Sequence, residues 1–523
     1  VIRRFAVIAG LLSVMGGTAC TRPPSAQATR RTIIIGTQFP LVNFSLARSS
    51  SADYAELTSL VFDGLTEVDD DGVIHPALAK HWEISPDRTT YTFTLRAARF
   101  HDGTPLRAAD VQRSWEKMLQ SRPGWHEHPW MLDEVEGALS YSEGHASTIS
   151  GLEVLSDSVL RVRLLRPYAP FPALLSLPKV AIVGATSDSL HPIGTGVWRW
   201  VSGPSPAPAL EIVLARNPDP WGEGVRMDSL IVHPVEPGET VGAFTSGQLD
   251  WMEGVDNADY ITLAARRDVG LQRSAPLGIS RLIIECGPSG IPDVRVRRAI
   301  AAAVDVPRLI QAIDIDTAQL AHGVIPRGWL GYDPTRRPMP YDPALARRLL
   351  REANYPMARP LRIWSSEVTY AGKPRIGPMI RDYLEAVGFT VQLHDSRVQD
   401  STNIAMEKRD ADITFEAWYP DYADSDAMLF PLYHSSVSGS AGNDGHYADP
   451  EMDRLIDAAR AESDAAKRAV LLRAADARGQ SEVADVLLWH QPSMAVFSPR
   501  FRGWQSTNFV TRFRHVEPAT AGR

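Results

Sequence analysis

The stretch VFDGLTEVDDDGVIHPALAKHWEISPDRTTYTFTLRAARFHDGTPLRAADVQRSWEKM, running from Val61 to Met118, decides how the rest of the chain is read. Within it, TTYTFTLR alternates strictly: Tyr91, Phe93 and Leu95 share one face and Thr92 and Thr94 the other, the period of a half-buried strand. His101-Asp102-Gly103-Thr104-Pro105 is a turn cluster, and Ala108 to Leu119 switches to helical spacing with Val111, Trp115, Met118 and Leu119 on one side. Just beyond, LEVLSDSVLRVRLL reads as a hairpin turning at Ser156-Asp157-Ser158, with Leu160, Val162 and Leu164 on one face. Strands and a helix in this order predict an α+β unit.

A second stretch lies far downstream: AWYPDYADSDAMLFPLYHS, Ala417 to Ser435. Together the two closely resemble the family 5 extracytoplasmic solute-binding proteins of ABC importers, of the oligopeptide-, dipeptide- and nickel-binding type, and stand in that family's order. PIGTGVWRWVSG after His191, ARNPDPWGEGVRMDSLIVHPV and DVRVRRAIAAAVDVPRLIQAI are similar to further segments of the family. The resemblance implies an α/β, two-lobed periplasmic-binding-protein fold, class II and cluster C type, with an extra α+β subdomain in the first lobe. It places the first-lobe core at 32–60, 190–275 and 490–523, the extra subdomain at 61–189 and the second lobe at 276–489.

Size and composition agree with several domains and an ordinary globular interior. The chain has 523 residues, 44% hydrophobic and 22% charged. The formal charge of −8 is modest, and Lys and Arg are scattered rather than blocked, which argues against a nucleic-acid partner.

The N-terminus carries Arg3 and Arg4, an apolar run from Phe5 to Met15, and small residues before Cys20. That is the pattern of a secretory signal over 1–19, since a spanning helix needs about 20 apolar residues. Cys20 after Thr18-Ala19 resembles a lipoprotein cleavage box, although Gly17 stands where Leu is preferred. Lipidation at Cys20 is expected, with 20–31 as a polar tether and an extracytoplasmic, membrane-anchored location. Cys286, in the apolar LIIECG, then has no partner and reads as a buried, inert thiol.

Elsewhere the periodicity predicts a strand at TIIIG (32–36), a helix over Tyr54 to Leu65, a strand at LIIEC, and a helix pair around Pro307 with Asp305 as cap. Further helices are predicted within 340–356, at Ile376 to Val387, Pro450 to Ala459 and Ala465 to Arg478. Strands are predicted at FTVQL and in LLWHQPSMAVFSP. Gly194 and Gly196 read as turn formers, and no dinucleotide fingerprint surrounds them.

The resemblance assigns Asp421, three residues after Trp418, to the free α-ammonium of a peptide ligand, with Trp418 and Tyr419 walling the pair from water. The logic is chemical: a peptide varies in its side chains but keeps its terminal charge and backbone, so a broad receptor must hold those. Backbone groups of Ala417, Trp418 and Tyr419 would pair with an extended ligand, and Phe39, Pro40 and Leu41 correspond to the opposite rim. Asp424 and Asp426 read as a solvated, turn-rich acidic loop, with Ser425 or Asp424 capping a helix.

His126-Glu127-His128 lacks the i, i+4 histidines of a helical zinc motif, and His434, His446 and His490 are scattered, so no metal or cofactor is assigned. No GxSxG elbow or paired-acid context suggests an enzyme. The expected partners are a short peptide, the transmembrane subunits of an ABC permease and the membrane through the lipid anchor, with the protein a monomer. The alternatives are the same fold binding a metal chelate, haem, oligosaccharide or opine, and a secreted peptide hydrolase.

Overall fold

The computed structural model describes residues 31–38, 57–69, 71–120, 130–203, 211–236, 238–255, 257–313, 318–366, 375–396, 404–439, 442–505, 509, 511 and 513–519. Three sheets organise them. The first has seven strands in the order Gly270–Arg273, Met494–Phe497, Trp251–Glu253, Thr32–Thr37, Ser229–Pro234, Ile212–Arg216 and Trp198–Ser202. TIIIGT is apolar because it lies mid-sheet, parallel to Ser229–Pro234 from Thr32↔Ser229 to Thr37↔Pro234 and bridging Trp251 on its other side. Asp250, fully buried, accepts the Ile34 amide at 2.9 Å and the Arg500 guanidinium at 2.6 Å, tying this strand to the C-terminal segment.

The second sheet runs Gln319–Leu320, Asp485–Gln491, Gly278–Ile284, Ile413–Trp418, Pro360–Ser366 and Thr390–Ser396. Every residue of Gly278–Ile284 is buried, as a central strand covered on both faces requires. Its alternate side chains serve two cores. Leu282 and Ile284 pack with the helices Val294–Ala303, Pro343–Glu352 and Ile376–Val387, whereas Ile279 packs with Asp426–Tyr433, Pro450–Ala461 and Ala465–Glu482.

A four-stranded antiparallel sheet, Ala79–Ile84, Thr90–Leu95, Val159–Arg163 and Leu152–Ser156, carries the helix Ala108–Leu119. Tyr91, Phe93, Leu95, Val111, Trp115, Leu160, Val162 and Leu164 meet in its core, the faces that alternation and helical spacing predict. The Pro307 helix pair is present as Val294–Ala303 and Val306–Ile313, and Asp305 caps the second helix by accepting the Arg308 amide at 3.1 Å.

The two large sheets are joined through residues 274–277 and 492–493, where a strand of one ends and a strand of the other begins. These crossings lie side by side. The Ser274 amide donates to the Ser493 carbonyl at 3.0 Å, and the Ser493 amide returns to Ser274 Oγ at 2.9 Å.

Some expectations need correction. The helix expected over Tyr54 to Leu65 is helical only to Ser59 among its described residues; the chain then straightens, because the Leu60 and Val61 carbonyls accept the Trp198 and Gly196 amides and Asp63 bridges Ile182. Gly194 and Gly196 do not form a turn with positive φ. They are small because the Val61 backbone passes against them: a Cβ on Gly194 would lie 2.1 Å from the Val61 carbonyl oxygen. His101 clamps the same segment, its amide donating to the Gly194 carbonyl and its Nε2 lying 2.9 Å from the Gly196 carbonyl.

Gly194→Ala therefore forces backbone apart and should cost about 1–3 kcal/mol, read as a fall in the denaturant midpoint with unchanged slope. Gly222→Ala, with open space around its Cβ, is the control and should shift the midpoint little.

Candidate ligand-binding site

The strand Ile413–Trp418 begins in the middle of the second sheet and ends at a crevice. On one side it pairs along its whole length with Gly278–Ile284, from Ile284↔Ile413 to Ile279↔Trp418. On the other it meets Pro360–Ser366 only at Ile413 and Thr414. Residues 415–418 thus present one backbone edge without a strand partner among the described residues. Such an edge can add an extended chain.

Beyond Trp418 the chain crosses to the small subdomain. Pro420 is buried, and Tyr422 is buried in the core of the four-stranded sheet, its ring 6.0 Å from that of Trp130. Tyr419 and Asp421 therefore lie where the second sheet's unit faces the subdomain. Both are open to solvent, yet surrounding protein removes enough water to penalise their charged forms.

Each neighbour is fixed. The Trp418 indole N–H donates to the Ala427 carbonyl at 3.1 Å, so this half-buried ring cannot swing into the crevice. Tyr419, 45% exposed, takes a 2.8 Å hydrogen bond on its hydroxyl from Gln491, and its ring fills the space a Cβ on Gly278 would need. Ala417 is exposed opposite Ser280.

Asp421 has no hydrogen bond or ion pair among the described residues. Its pKa is raised from 3.8 to about 6 by desolvation, opposed by the attraction of Lys179 from the subdomain.

Other carboxylates nearby are satisfied. Beneath the strand, Arg281 is 2% exposed and donates to Asp485 at 3.1 Å, to Glu416 at 3.0 Å and to the Gly442 carbonyl at 2.6 Å, while Tyr433 donates to Asp485 at 2.9 Å. Burial pushes the Glu416 and Asp485 carboxyls up, opposed by Arg281. A guanidinium so engaged is not offered to a ligand.

Asp424 and Asp426 are not the solvated acidic loop that their spacing suggests. Arg468 grips Asp424 with two bonds of 2.7 Å, and Asp426, 1% exposed, accepts the Tyr422 hydroxyl at 2.8 Å and lies 3.4 Å from Arg460. Helices distant in sequence supply both arginines. Asp424 accepts the Asp426 amide at 2.8 Å, whereas Ser425 makes no cap and donates instead to the Leu330 carbonyl at 2.6 Å.

Cys286 is half-buried rather than buried, and desolvation pushes its thiol up to about 12. His446 lies 2.7 Å from Glu285, and His490 is buried with Nε2 3.0 Å from the Gly323 carbonyl. Phe39, Pro40, Leu41, Cys20, His126 to His128 and residues 1–30 of the signal and tether segments lie outside the described residues.

Residues 73–440 match the family model of the bacterial extracellular solute-binding proteins, family 5. The chain belongs to this family. It is 27% identical over 424 residues to di/tripeptide-binding protein 2 of Pseudomonas aeruginosa, covering 76% of this chain and 78% of that one. It is 26% identical over 459 residues to heme-binding protein A of Haemophilus influenzae, covering 83% and 82%. Among solved structures it superimposes on the ABC transporter-associated periplasmic binding protein DppA of Helicobacter pylori in complex with the peptide STSA, with a TM-score of 0.77, 23% identity and coverage of 93% and 98%. The sheets described above are thus the two-lobed α/β fold of the family 5 periplasmic binding proteins. Its members here are binding proteins rather than enzymes.

The unmatched charge on Asp421 has a measurable signature. Its folded pKa exceeds its ordinary value, so ionisation opposes folding above about pH 6, and this penalty fades as pH falls toward 3.8. Asp421→Asn should leave the ligand-free melting temperature at pH 8 unchanged or higher, with the difference from the natural protein vanishing near pH 4. Arg281→Met should do the reverse, costing about 3–5 kcal/mol by stranding two carboxylates, read by denaturant unfolding.

Proposed function

We propose that this family 5 protein is the receptor of an ABC importer for short peptides, taking the free α-ammonium of its ligand on Asp421 and pairing ligand backbone with the open edge of residues 415–418. The observation that carries the reading is the Asp421 carboxylate itself, reachable from solvent, raised to about 6 by desolvation, and without a hydrogen-bonding partner among the described residues. Burying an ammonium against it satisfies both charges, and the adjoining backbone edge can satisfy peptide amides without reading sequence. Relatives named for di/tripeptide binding support the ligand class.

In this reading the lobes, 32–60 with 190–275 and 490–523 against 276–489, shut on the ligand through the paired crossings, with 61–189 as the extra subdomain. Closure needs contacts present only in the shut form. Trp418 and Tyr419 exclude water, Phe39, Pro40 and Leu41 form the facing rim, and Cys20 carries the lipid that keeps the receptor beside its permease. No described helix is long and apolar enough to cross a membrane, so anchoring in this scheme falls to Cys20.

Incubating the purified protein with a pool of di- to pentapeptides and observing the complex by native mass spectrometry tests the proposal. Intact peptides should be retained and none cleaved. Asp421→Ala should weaken the retained peptides by at least about a hundredfold, and N-acetylation of the peptide should cost a similar factor. Retention of acetylated and free peptides alike would refute the assignment, and a co-purified ligand without a primary amine would favour a haem, chelate, opine or sugar. Affinity should also fall by about tenfold per pH unit below about pH 6, as Asp421 gains its proton.

A further inference from the structure

The unit that contains Asp426 and Arg460 meets the subdomain at a second place, beyond the crevice. Tyr168, from the subdomain, is 3% exposed and sits against Arg460 and Asp426 of the opposite unit. Arg460 donates to its hydroxyl at 3.0 Å, the hydroxyl lies 3.4 Å from Asp426 Oδ2, and the guanidinium covers the Tyr168 ring at 4.7 Å while stacking on Phe430 at 3.7 Å. The next residue adds a backbone bond, the Ala169 amide donating to the Arg460 carbonyl at 2.7 Å. Around the rim, Arg166 faces Asp457 and Arg88 faces Glu462, each at 3.6 Å.

The two sides belong to bodies joined covalently only through 274–277 and 492–493 among the described residues. A rotation about those crossings would separate Tyr168 from Arg460 without breaking the Arg460–Asp426 or Arg468–Asp424 pairs, which lie wholly on one side. The charges are therefore compensated whether or not the seam is shut. Beside the apolar contact of Tyr422 and Ala427 with the subdomain core, Tyr168 is what the seam adds to these charges: a hydroxyl that accepts from the cation and can donate to the anion, and a ring for the guanidinium.

We propose that Tyr168, Arg460 and Asp426 form an interlobe latch whose strength sets how readily the protein closes, independently of what occupies the crevice. These are positioning residues, touching no ligand, and the proposal stands whether or not Asp421 binds an amine. Losing a hydrogen bond to a charged group of this kind shifts an equilibrium by about tenfold or more.

The Ala169 amide reports the latch directly, because its acceptor lies on the other lobe. In ligand-free protein, Tyr168→Phe should lower the hydrogen-exchange protection of Ala169 by about tenfold and raise the radius of gyration by small-angle scattering. The Tyr91 and Val162 amides, inside the subdomain sheet, should keep their protection. Should Tyr168→Phe fail to fold, the half-buried rim pair Asp457→Lys with Glu462→Lys, which sets like charges opposite Arg166 and Arg88, should open the seam in the same assay. Unchanged Ala169 exchange in a folded variant, or equal loss of protection at Tyr91 and Val162, would overturn the latch.

Discussion

Two short crossings, bonded to each other through Ser274 and Ser493, tie a seven-stranded sheet to a six-stranded one. Everything else that faces across the junction is held without a covalent bond. This constraint gives the crevice its character: a wall built on a rigid strand, Ile413–Trp418, looks toward a subdomain anchored on the other sheet. Groups at the junction can be partnered from the far side, or left for something else to partner.

Charge pairing shows which groups are which. Arg281 with Asp485 and Glu416, Arg468 with Asp424, and Arg460 with Asp426 are each complete within one body, at distances of 2.7 to 3.4 Å. Such pairs gain little net stability over an apolar core, but breaking one strands a charge. Asp421, in the same acidic run, has no hydrogen bond or ion pair among the described residues, and its desolvation is offset only by the longer-range attraction of Lys179.

Much of this was legible without coordinates. Alternation in TTYTFTLR, helical spacing from Ala108 to Leu119, and Pro307 behind Asp305 set local structure because each is a short-range constraint of sterics and capping. The family pattern around Trp418 and Asp421 likewise survives in the chain as a contiguous motif. What misled was also local: DYADSD looks like a polar loop, since nothing in ten residues reveals that Arg460 and Arg468 will approach. Gly194 looked like a turn former when the cause of its size was the Val61 backbone, more than 100 residues earlier.

By itself, then, the sequence determined the strands and helices, the α/β class and the family, all of which depend on neighbours along the chain or on motifs preserved in order. Only the tertiary structure decided that Asp421 is left uncompensated while Asp424 and Asp426 are neutralised, that Arg281 is consumed internally, and that Tyr168 meets Asp426 across 258 residues. The reason is physical: charge compensation and burial are properties of the space around a side chain. That space is filled by residues whose approach no local pattern records.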